Sequence, residues 1–599
     1  MEKMQSLTAD DSSFSPSPTP SSFASLRAYG QALAETPRRL RRRAGSVTTT
    51  SEEMSRVRAR SGTEMNRCLR WPDLVGLGIG GMIGAGVFVA TGRAARLYAG
   101  PAIVLSYAIA GLCALLSAFC YTEFAVDMPV AGGAFTYLRV TFGEFAAFLT
   151  GANLIMEYVF SNAAVARSLT AYLGTAIGVD TTAKWRFTVA VLPSGFNQFD
   201  LLAVAVIVLI TVCICCSTKD SSVLNMILTA IHIAFILFVI VVGFWLGDVR
   251  NLTHPAKPAE SPGGFMPYGV AGVFNGAAMV YLSYIGYDAV STMAEEVRCP
   301  ERDIPIGVSG SVAVVTVLYC LMAASMAMLV PYDAINTESP FSAAFAGSDG
   351  WAWASYVIGA GASFGILTSL LVSMLGQARY LCVMGRSNVL PTWLAQVHPK
   401  TATPVNASAL LGIFTAAIAL FTDLDVLLSL VSIGTLFVFY MVGNAVIYRR
   451  YVSPDGSANS PWPTLSFLLA FSSAALAFTL IWQLAPAGSA KAALLCVCAA
   501  AAMAVLQAFH LLVPEAREPA HWGVPLMPWI PAASVFLNVF LLGSLDGPSY
   551  LRFVIFSAFV VVAYVFYGVH SSSDAEENGN LLHSIHHAGR RTCSSSQLV

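Results

Sequence analysis

The chain has 599 residues, of which 56% are hydrophobic and 11% charged, and its net charge is −1. Soluble globular proteins carry roughly 25% charged residues, so the composition excludes a water-soluble globular protein, and the absence of excess positive charge argues against nucleic-acid binding. Long apolar runs without alternation, such as 201–212, exclude a transmembrane β-barrel and predict an all-α polytopic membrane protein.

Residues 1–70 precede the first apolar block and are rich in serine, proline and arginine. This composition predicts a disordered cytosolic tail, because it cannot bury a core. Residues 71–450 are predicted to form a ten-helix core and residues 451–570 four additional C-terminal transmembrane helices. Residues 571–599 are predicted to be a cytosolic C-terminal tail.

Fourteen apolar blocks predict fourteen transmembrane spans, numbered here in chain order. They begin near Leu74, Pro101, Phe145, Leu201, Val223, Gly272, Ile306, Trp353, Ala407, Val426, Leu465, Ala492, Pro528 and Leu551. An even number places both termini on one side of the membrane. Ten Lys and Arg residues between Arg38 and Arg70 favour a cytosolic location for both termini under the positive-inside rule.

The first span is interrupted by glycine. Six glycines fall between Gly76 and Gly86, and each weakens a helix by roughly 0.5–1 kcal/mol relative to alanine. Close helix packing through small residues is one explanation. A break in the helix at Ile83, Gly84, Ala85 and Gly86 is the other.

The third span contains an acidic residue, Glu157, among apolar neighbours. A charged side chain at the bilayer centre costs at least about 2.5–3.5 kcal/mol, so it needs a partner or a role. Two roles are open from the sequence: a counter-charge for a bound cation, or an internal polar anchor for neighbouring hydrogen-bond donors.

The sixth span is interrupted as well, since Leu282, Ser283, Ile285 and a glycine stand directly before Asp288. Breaks at corresponding positions of two halves are typical of inverted-repeat transporters with a site at the membrane midplane. Freed N–H groups bind a carboxylate and freed carbonyls bind an ammonium group, which predicts an α-amino acid as cargo. Asp288 is predicted to have a structural or gating role, its carboxylate capping the second half of the helix.

These interruptions and several other motifs resemble the cationic amino acid transporter family of the amino acid–polyamine–organocation superfamily, in particular its plant types six and seven. The motifs that carry the resemblance are Gly80–Phe88, Tyr121–Glu123, Pro129–Tyr137, Met156–Tyr158, Tyr284–Glu296, Asp303–Gly307, Gly376–Arg379, His398–Pro404 and Gly523–Trp529. The resemblance covers residues 71–570. It implies a LeuT-like 5+5 inverted repeat for spans one to ten, with four further helices at the C-terminus.

The resemblance also assigns roles to residues of spans three and five. It implies that Glu157 lines the cavity beneath the substrate. It further implies that His232 of span five stands where bacterial relatives carry a lysine, at a position that sodium occupies in sodium-coupled proteins. Histidine, with an ordinary pKa of about 6.5, is a proton switch at physiological pH, so His232 is a candidate proton-coupling residue; a neutral packing residue is the alternative.

The sequence therefore predicts a secondary transporter for lysine, arginine and large neutral amino acids that works by alternating access. The predicted substrate-binding residues are Ile83, Gly84, Ala85, Gly86, Glu157, Leu282, Ser283 and Ile285. The driving force is the membrane potential, protons or both, and the partners are the amino acid, the lipid bilayer and, for symport, protons. No enzymatic activity, catalytic residue, metal or cofactor is predicted, the plasma membrane is favoured over the vacuolar membrane, and an amino-acid-sensing receptor is the alternative function.

Overall fold

The computed structural model describes residues 22–47, 69–84, 86–129, 132–179, 185–189, 193, 195–216, 221–294, 297–346, 351–398, 401, 403–431, 433–452, 460–486, 488–545 and 547–576. Nine helical stretches of these residues are long and apolar enough to cross a membrane, and the first, Trp71–Asp127, contains predicted spans one and two. Three shorter apolar helices coincide with spans four, nine and thirteen. The all-α membrane fold is confirmed; the count of fourteen crossings and the domain boundaries stay predictions.

Helical segments occupy all fourteen predicted spans, whose numbers are kept for them. They are Trp71–Met82, Gly86–Ala90, Thr91–Ala94 and Ala95–Ala99 (one), Ile103–Asp127 (two), Glu144–Ile177 (three), Leu201–Cys216 (four), Ser221–Leu246 (five), Gly269–Val280, Tyr281–Tyr284 and Tyr287–Thr292 (six), Pro300–Leu329 (seven), Ala352–Arg386 (eight), Val405–Phe421 (nine), Leu424–Leu430 and Ile433–Tyr451 (ten), Pro461–Leu484 (eleven), Ser489–Leu512 (twelve), Trp529–Gly543 (thirteen), and Gly547–Ala563 with Tyr564–Gly568 (fourteen). Span three packs extensively against span eight, and span seven against spans one and two.

Shorter elements connect the spans. Helices Gly133–Thr141 and Pro340–Ala346 lie beside spans three and eight respectively, and strands Arg186–Thr188 and Gln198–Asp200 pair antiparallel, with Arg186 opposite Asp200. Single helical turns cover Gly100–Ala102, Val249–Leu252, Tyr332–Ala334 and Thr392–Ala395. An ion pair between Arg186 and Asp200 (3.4 Å) links the two strands. Arg186 also pairs with Glu338, outside the hairpin, at 3.0 Å.

A buried ion pair between spans two and ten also holds the segment that precedes span thirteen. Glu123, near the end of span two, accepts hydrogen bonds from Arg450 Nε (2.7 Å) and Nη2 (3.0 Å) at the end of span ten. The same carboxylate accepts the backbone N–H of Val524 at 2.8 Å. Full pairing offsets the desolvation of both charges and fixes the segment before span thirteen to the core.

Part of the N-terminal tail is ordered, which corrects the prediction of disorder for residues 22–47. Leu26–Ala34 and Thr36–Arg43 form helices that dock on the end of the chain. Arg39 pairs with Asp574 at 3.2 Å, and Arg43 pairs with Glu576 at 2.9 Å and with Glu144 at the start of span three. Composition alone missed this, because the arginines gain order from acidic partners far away in the sequence.

Arg43→Glu should release the N-terminal helices from this junction. The Arg43 side chain is buried against Glu144, and reversing its charge there leaves like charges facing each other, which is strongly destabilising. Limited chymotrypsin digestion at Tyr29 should become at least about tenfold faster. Arg41→Glu, at an exposed position of the same helix, is the matched control. Equal cleavage of the two variants would mean that the ion pairs do not hold the tail.

Candidate functional site

Span one is broken at the predicted position. The helix Trp71–Met82 ends at Ile83, whose backbone is extended (φ −77°, ψ 101°), and helical structure resumes at Gly86. Ile83 is buried at the end of the first half-helix. Ala85, the fourth predicted residue of this break, lies outside the described residues.

Span six is broken in the same manner. The helix Gly269–Val280 tightens into one 3₁₀ turn, Ile285 is extended (ψ 129°), and Gly286 has a φ of +129° before a new helix begins. A positive φ is accessible to glycine without strain because it lacks Cβ. The sequence motif therefore produces a real interruption.

The two breaks cross each other at close range. A Cβ on Gly86 would lie 2.5 Å from Ser283 Cα, and a Cβ on Gly286 would lie 2.7 Å from the carbonyl carbon of Gly81. Because no side chain fits at either crossing, the backbones of spans one and six are in direct contact. The Tyr319 hydroxyl of span seven is within hydrogen-bond distance of two carbonyls at the breaks, Met82 O (2.7 Å) and Ser283 O (2.9 Å).

A cavity lies beside this crossing and is closed on its other sides by spans three and eight. Its lining residues are Gly81, Met82, Gly84, Gly86, Tyr158, Ser161, Val165, Leu282, Ile285, Gly286, Ala289, Ser369, Val372, Ser373 and Gly376. None of these lining residues carries a charge at neutral pH. The cavity measures about 30 Å³, room for only a few water molecules, so the breaks are drawn together in this conformation.

Four of the predicted substrate-binding residues line the cavity: Gly84 and Gly86 of span one, and Leu282 and Ile285 of span six. Ser283 is buried against Gly86, and its hydroxyl has no hydrogen-bond partner among the described residues. Ser283 therefore stands at the crossing and is absent from the lining.

Three serines on the far walls of the cavity were not predicted. Ser161 comes from span three, and Ser369 and Ser373 come from span eight. Ser369 and Ser373 are four residues apart, which places both on one face of a helix. That spacing was visible in the sequence, but it becomes informative only once span eight is known to pack against span three.

Asp288 bridges span six and span three. Its carboxylate accepts the N–H of Gly286 at 3.0 Å and the hydroxyl of Tyr158, and Tyr158 itself lines the cavity. The carboxylate therefore satisfies a backbone donor that the break leaves free. Asp288 is therefore positioned to cap the second half of span six. It does not line the cavity itself but contacts Tyr158, which does.

The structure does not bring Glu157 to the cavity. Its side chain is buried (3% exposed), and Oε2 accepts the N–H of Gly434 at 3.2 Å. Gly434 is the second residue of the helix Ile433–Tyr451. The helix before it, Leu424–Leu430, ends at Val431, whose backbone is extended (ψ 151°). Span ten is thus a third interrupted helix, and Glu157 caps its second half.

His232 also lies away from the cavity, beside the second half of span one. Its ring stacks on Phe88 with the centroids 5.6 Å apart at an angle of 17°, and it packs on span eight at Gly365, where a Cβ would overlap the ring. Nε2 has no hydrogen-bond partner within the described ranges. The histidine thus contacts two of the helices that enclose the site, at residues that do not line the cavity.

Comparisons with known proteins identify the family. The sequence model of the family described as Amino acid permease matches residues 69–504, and that described as the C-terminus of AA_permease matches residues 522–572. In Arabidopsis thaliana, Cationic amino acid transporter 6, chloroplastic, is 69% identical over 560 residues, covering 94% of this chain and 95% of that protein. Cationic amino acid transporter 7, chloroplastic, is 68% identical with the same coverage, and Cationic amino acid transporter 8, vacuolar, is 41% identical, covering 92% and 91%.

The prediction of the plasma membrane is wrong. Both of the relatives near 69% identity are named chloroplastic. Apolar blocks and flanking basic residues report that a chain enters a membrane and in which orientation, but they carry no information on the organelle. The placement of both termini in the cytosol, which rested on the positive-inside rule, belonged to the same localisation and is withdrawn with it.

The comparisons confirm the resemblance that the motifs indicated, including the similarity to plant types six and seven, and confirm that the chain is not an enzyme. The family model covers the two crossing breaks, the uncharged cavity and the capping residues in one continuous match. The chain belongs to the amino acid permease family and is a polytopic membrane protein similar to the plant cationic amino acid transporters.

Proposed function

We propose that this protein transports amino acids, cationic ones among them, through the cavity at the crossing of spans one and six. The observation that carries the proposal is the direct backbone contact between Gly86 and Ser283, which brings the free polar groups of two broken helices to one cavity. Because the cavity has room for only a few water molecules, cargo must bind in a conformation in which the breaks and their flanking helices move apart. Alternating access supplies that movement.

The orientation of the cargo follows from the half-helices. Two of them begin at the breaks, one at Gly86 and one at Tyr287, and each presents a positive dipole end. The second is already satisfied by the carboxylate of Asp288 at the Gly286 N–H. The carboxylate of the cargo therefore binds at Gly86. The ammonium group of the cargo binds the carbonyls at the end of the first half of span one.

A cationic cargo needs no co-transported ion in order to accumulate. Moving one positive charge down a membrane potential provides about 2.3 kcal/mol per 100 mV, which corresponds to roughly fiftyfold accumulation. Lysine or arginine thus accumulates by uniport, whereas a neutral amino acid needs a coupled ion such as a proton. No observation favours the receptor alternative.

The relatives named chloroplastic support a chloroplast membrane as the location. A fluorescent fusion in leaf protoplasts tests this, and signal confined to the cell periphery would refute it.

Transport itself is tested with purified protein in liposomes under a potassium diffusion potential, using labelled lysine, arginine and leucine. Potential-driven lysine or arginine uptake above that of protein-free liposomes is the expected result, and uptake of neither amino acid would refute cationic transport.

His232→Asn should flatten the dependence of uptake on pH between about pH 5 and 8, the range in which imidazole ordinarily titrates. Asparagine retains a polar group of similar size but carries no titratable proton. Affinity for lysine should change by no more than a few-fold, since His232 does not line the cavity. His254→Asn, in the exposed loop after span five, is the control. An unchanged pH profile would return His232 to a packing role against Phe88.

A further inference from the structure

A tyrosine of span seven reaches the point where the two broken helices cross. The Tyr319 hydroxyl lies 2.7 Å from the carbonyl oxygen of Met82 and 2.9 Å from that of Ser283. Met82 is the last residue of the first half of span one, and Ser283 lies in the single turn before the break in span six. One side chain from outside both helices therefore contacts a backbone acceptor on each of them.

The ring of Tyr319 is held in place by its neighbours. The side chain is fully buried, and its ring packs against Tyr107 of span two and Tyr284 of span six, with the centroids 5.3 Å apart in both cases. The Tyr107 hydroxyl lies 2.8 Å from Thr91 Oγ1 in the second half of span one, and the Tyr284 hydroxyl donates to the Tyr107 carbonyl at 2.9 Å. This aromatic packing keeps the Tyr319 hydroxyl at the breaks.

The hydroxyl cannot satisfy both carbonyls at once. A tyrosine hydroxyl has one hydrogen, so either Met82 O or Ser283 O receives it at a given moment. A buried carbonyl without a donor is costly, whereas water hydrates both carbonyls when the breaks move apart. The α-ammonium group of an amino acid has three hydrogens, and bound cargo therefore supplies the donor that the closed conformation lacks.

We infer that Tyr319 is a positioning residue that holds the two breaks together in the closed conformation, and that the α-ammonium group of the cargo takes the carbonyl that Tyr319 leaves free. The inference rests on the proposed transport function. It makes closure of the cavity depend on both the hydroxyl and the ammonium group. Closure is therefore selective for α-amino acids, whatever the charge of their side chains.

The first test is the kinetics of lysine uptake by Tyr319→Phe, which keeps the ring and removes the hydroxyl. Without this donor the closed conformation is less stable, so kcat should fall about tenfold. More of the cargo-free protein is then open, and the KM should fall about threefold, because apparent affinity rises with the fraction of protein that is competent to bind. A lower kcat with an unchanged or higher KM would overturn the inference, and so would unchanged kinetics.

Tyr332→Phe is the matched control for the kinetics. Tyr332 is also a buried tyrosine, and its hydroxyl donates to one backbone carbonyl, that of Pro262 at 2.8 Å, in the connection between spans five and six. Because this hydroxyl contacts neither break, kcat and KM should stay at their wild-type values. Equal effects of the two substitutions would mean that Tyr319 has no specific role at the breaks.

The second test measures closure without transport. Ser373 of span eight lines the cavity, so in Ser373→Cys protein the rate at which methyl methanethiosulfonate modifies position 373, read by peptide mass spectrometry, reports how open the cavity is. Without cargo, adding Tyr319→Phe should raise this rate at least about threefold, and adding Tyr332→Phe should not. Lysine should slow the modification, whereas 6-aminohexanoate, which is lysine without its α-ammonium group, should not.

The outcomes separate the two parts of the inference from the proposed function. Equal rates with and without Tyr319→Phe would overturn the role of the hydroxyl. Equal protection by lysine and 6-aminohexanoate would overturn the role of the α-ammonium group, as would no protection by lysine in a Ser373→Cys protein that transports it. Wild-type protein that takes up no amino acid would refute the proposed function instead.

Discussion

Replacing Gly86 with leucine should reduce amino-acid uptake to the level of protein-free liposomes. A single Cβ at this position would lie 2.5 Å from Ser283 Cα and 2.6 Å from Ser283 Oγ, so the backbones of spans one and six would have to separate. The leucine side chain would in addition occupy the space at the half-helix start where we propose that the cargo carboxylate binds. Gly86→Ala, which adds only the Cβ, should lower uptake about tenfold, since overpacking costs roughly 1–3 kcal/mol.

Gly76→Leu is the matched control for this prediction. It is another glycine of the same span, and a Cβ there meets no atom within 4 Å. The Gly76 variant should transport normally, and all three variants should elute as monodisperse protein in detergent. Normal uptake by a correctly folded Gly86→Leu protein would remove the cargo site from this crossing.

The broken helices were predictable because their cause is local. Glycine destabilises helix wherever it stands, and both the glycine cluster that ends at Gly86 and the single Gly286 before Asp288 can be read directly from the sequence. The partners of each break are not local. Tyr319, which contacts carbonyls of both breaks, is one tyrosine among 21 in the chain, and nothing in its immediate neighbours marks it.

Buried charges were harder to interpret than breaks. The sequence shows that Glu157 needs a partner within the membrane, but it does not show which neighbouring helix the side chain faces. Successive residues of a helix point in different directions. Tyr158 faces the cavity and Asp288, whereas Glu157 faces span ten. One helical step of about 100° therefore separates a residue that lines the cavity from one that caps another helix.

The interruption of span ten was missed for a related reason. Its sequence around Val431 and Gly434 has one glycine and, unlike the break in span six, no acidic residue directly after it, and the span is otherwise strongly apolar. The break is stabilised by a carboxylate from another helix, a tertiary contact that no local pattern reveals.

Substitution of Glu157 tests its hydrogen bond with the Gly434 N–H. If the carboxylate caps span ten, Glu157→Gln should transport nearly as the wild type does, because a glutamine oxygen still accepts the Gly434 N–H. The ratio of lysine to leucine uptake should stay within about twofold of the wild-type ratio. Glu157→Leu should reduce uptake of both amino acids together by about tenfold, because an unpaired buried N–H costs about 1–3 kcal/mol.

A change on the partner helix tests the same contact without touching the charge. A Cβ on Gly434 would lie 2.8 Å from Glu157 Oε2, so Gly434→Ala should push the carboxylate away and reproduce the loss seen for Glu157→Leu, again equally for lysine and leucine. A counter-charge for cargo predicts a different pattern: Glu157→Gln would lower lysine uptake at least tenfold and spare leucine, and Gly434→Ala, which displaces the carboxylate, would also lower lysine uptake more than leucine uptake. Uptake of the two labelled amino acids by each variant in liposomes decides between a residue that contacts the cargo and one that holds the third broken helix in place.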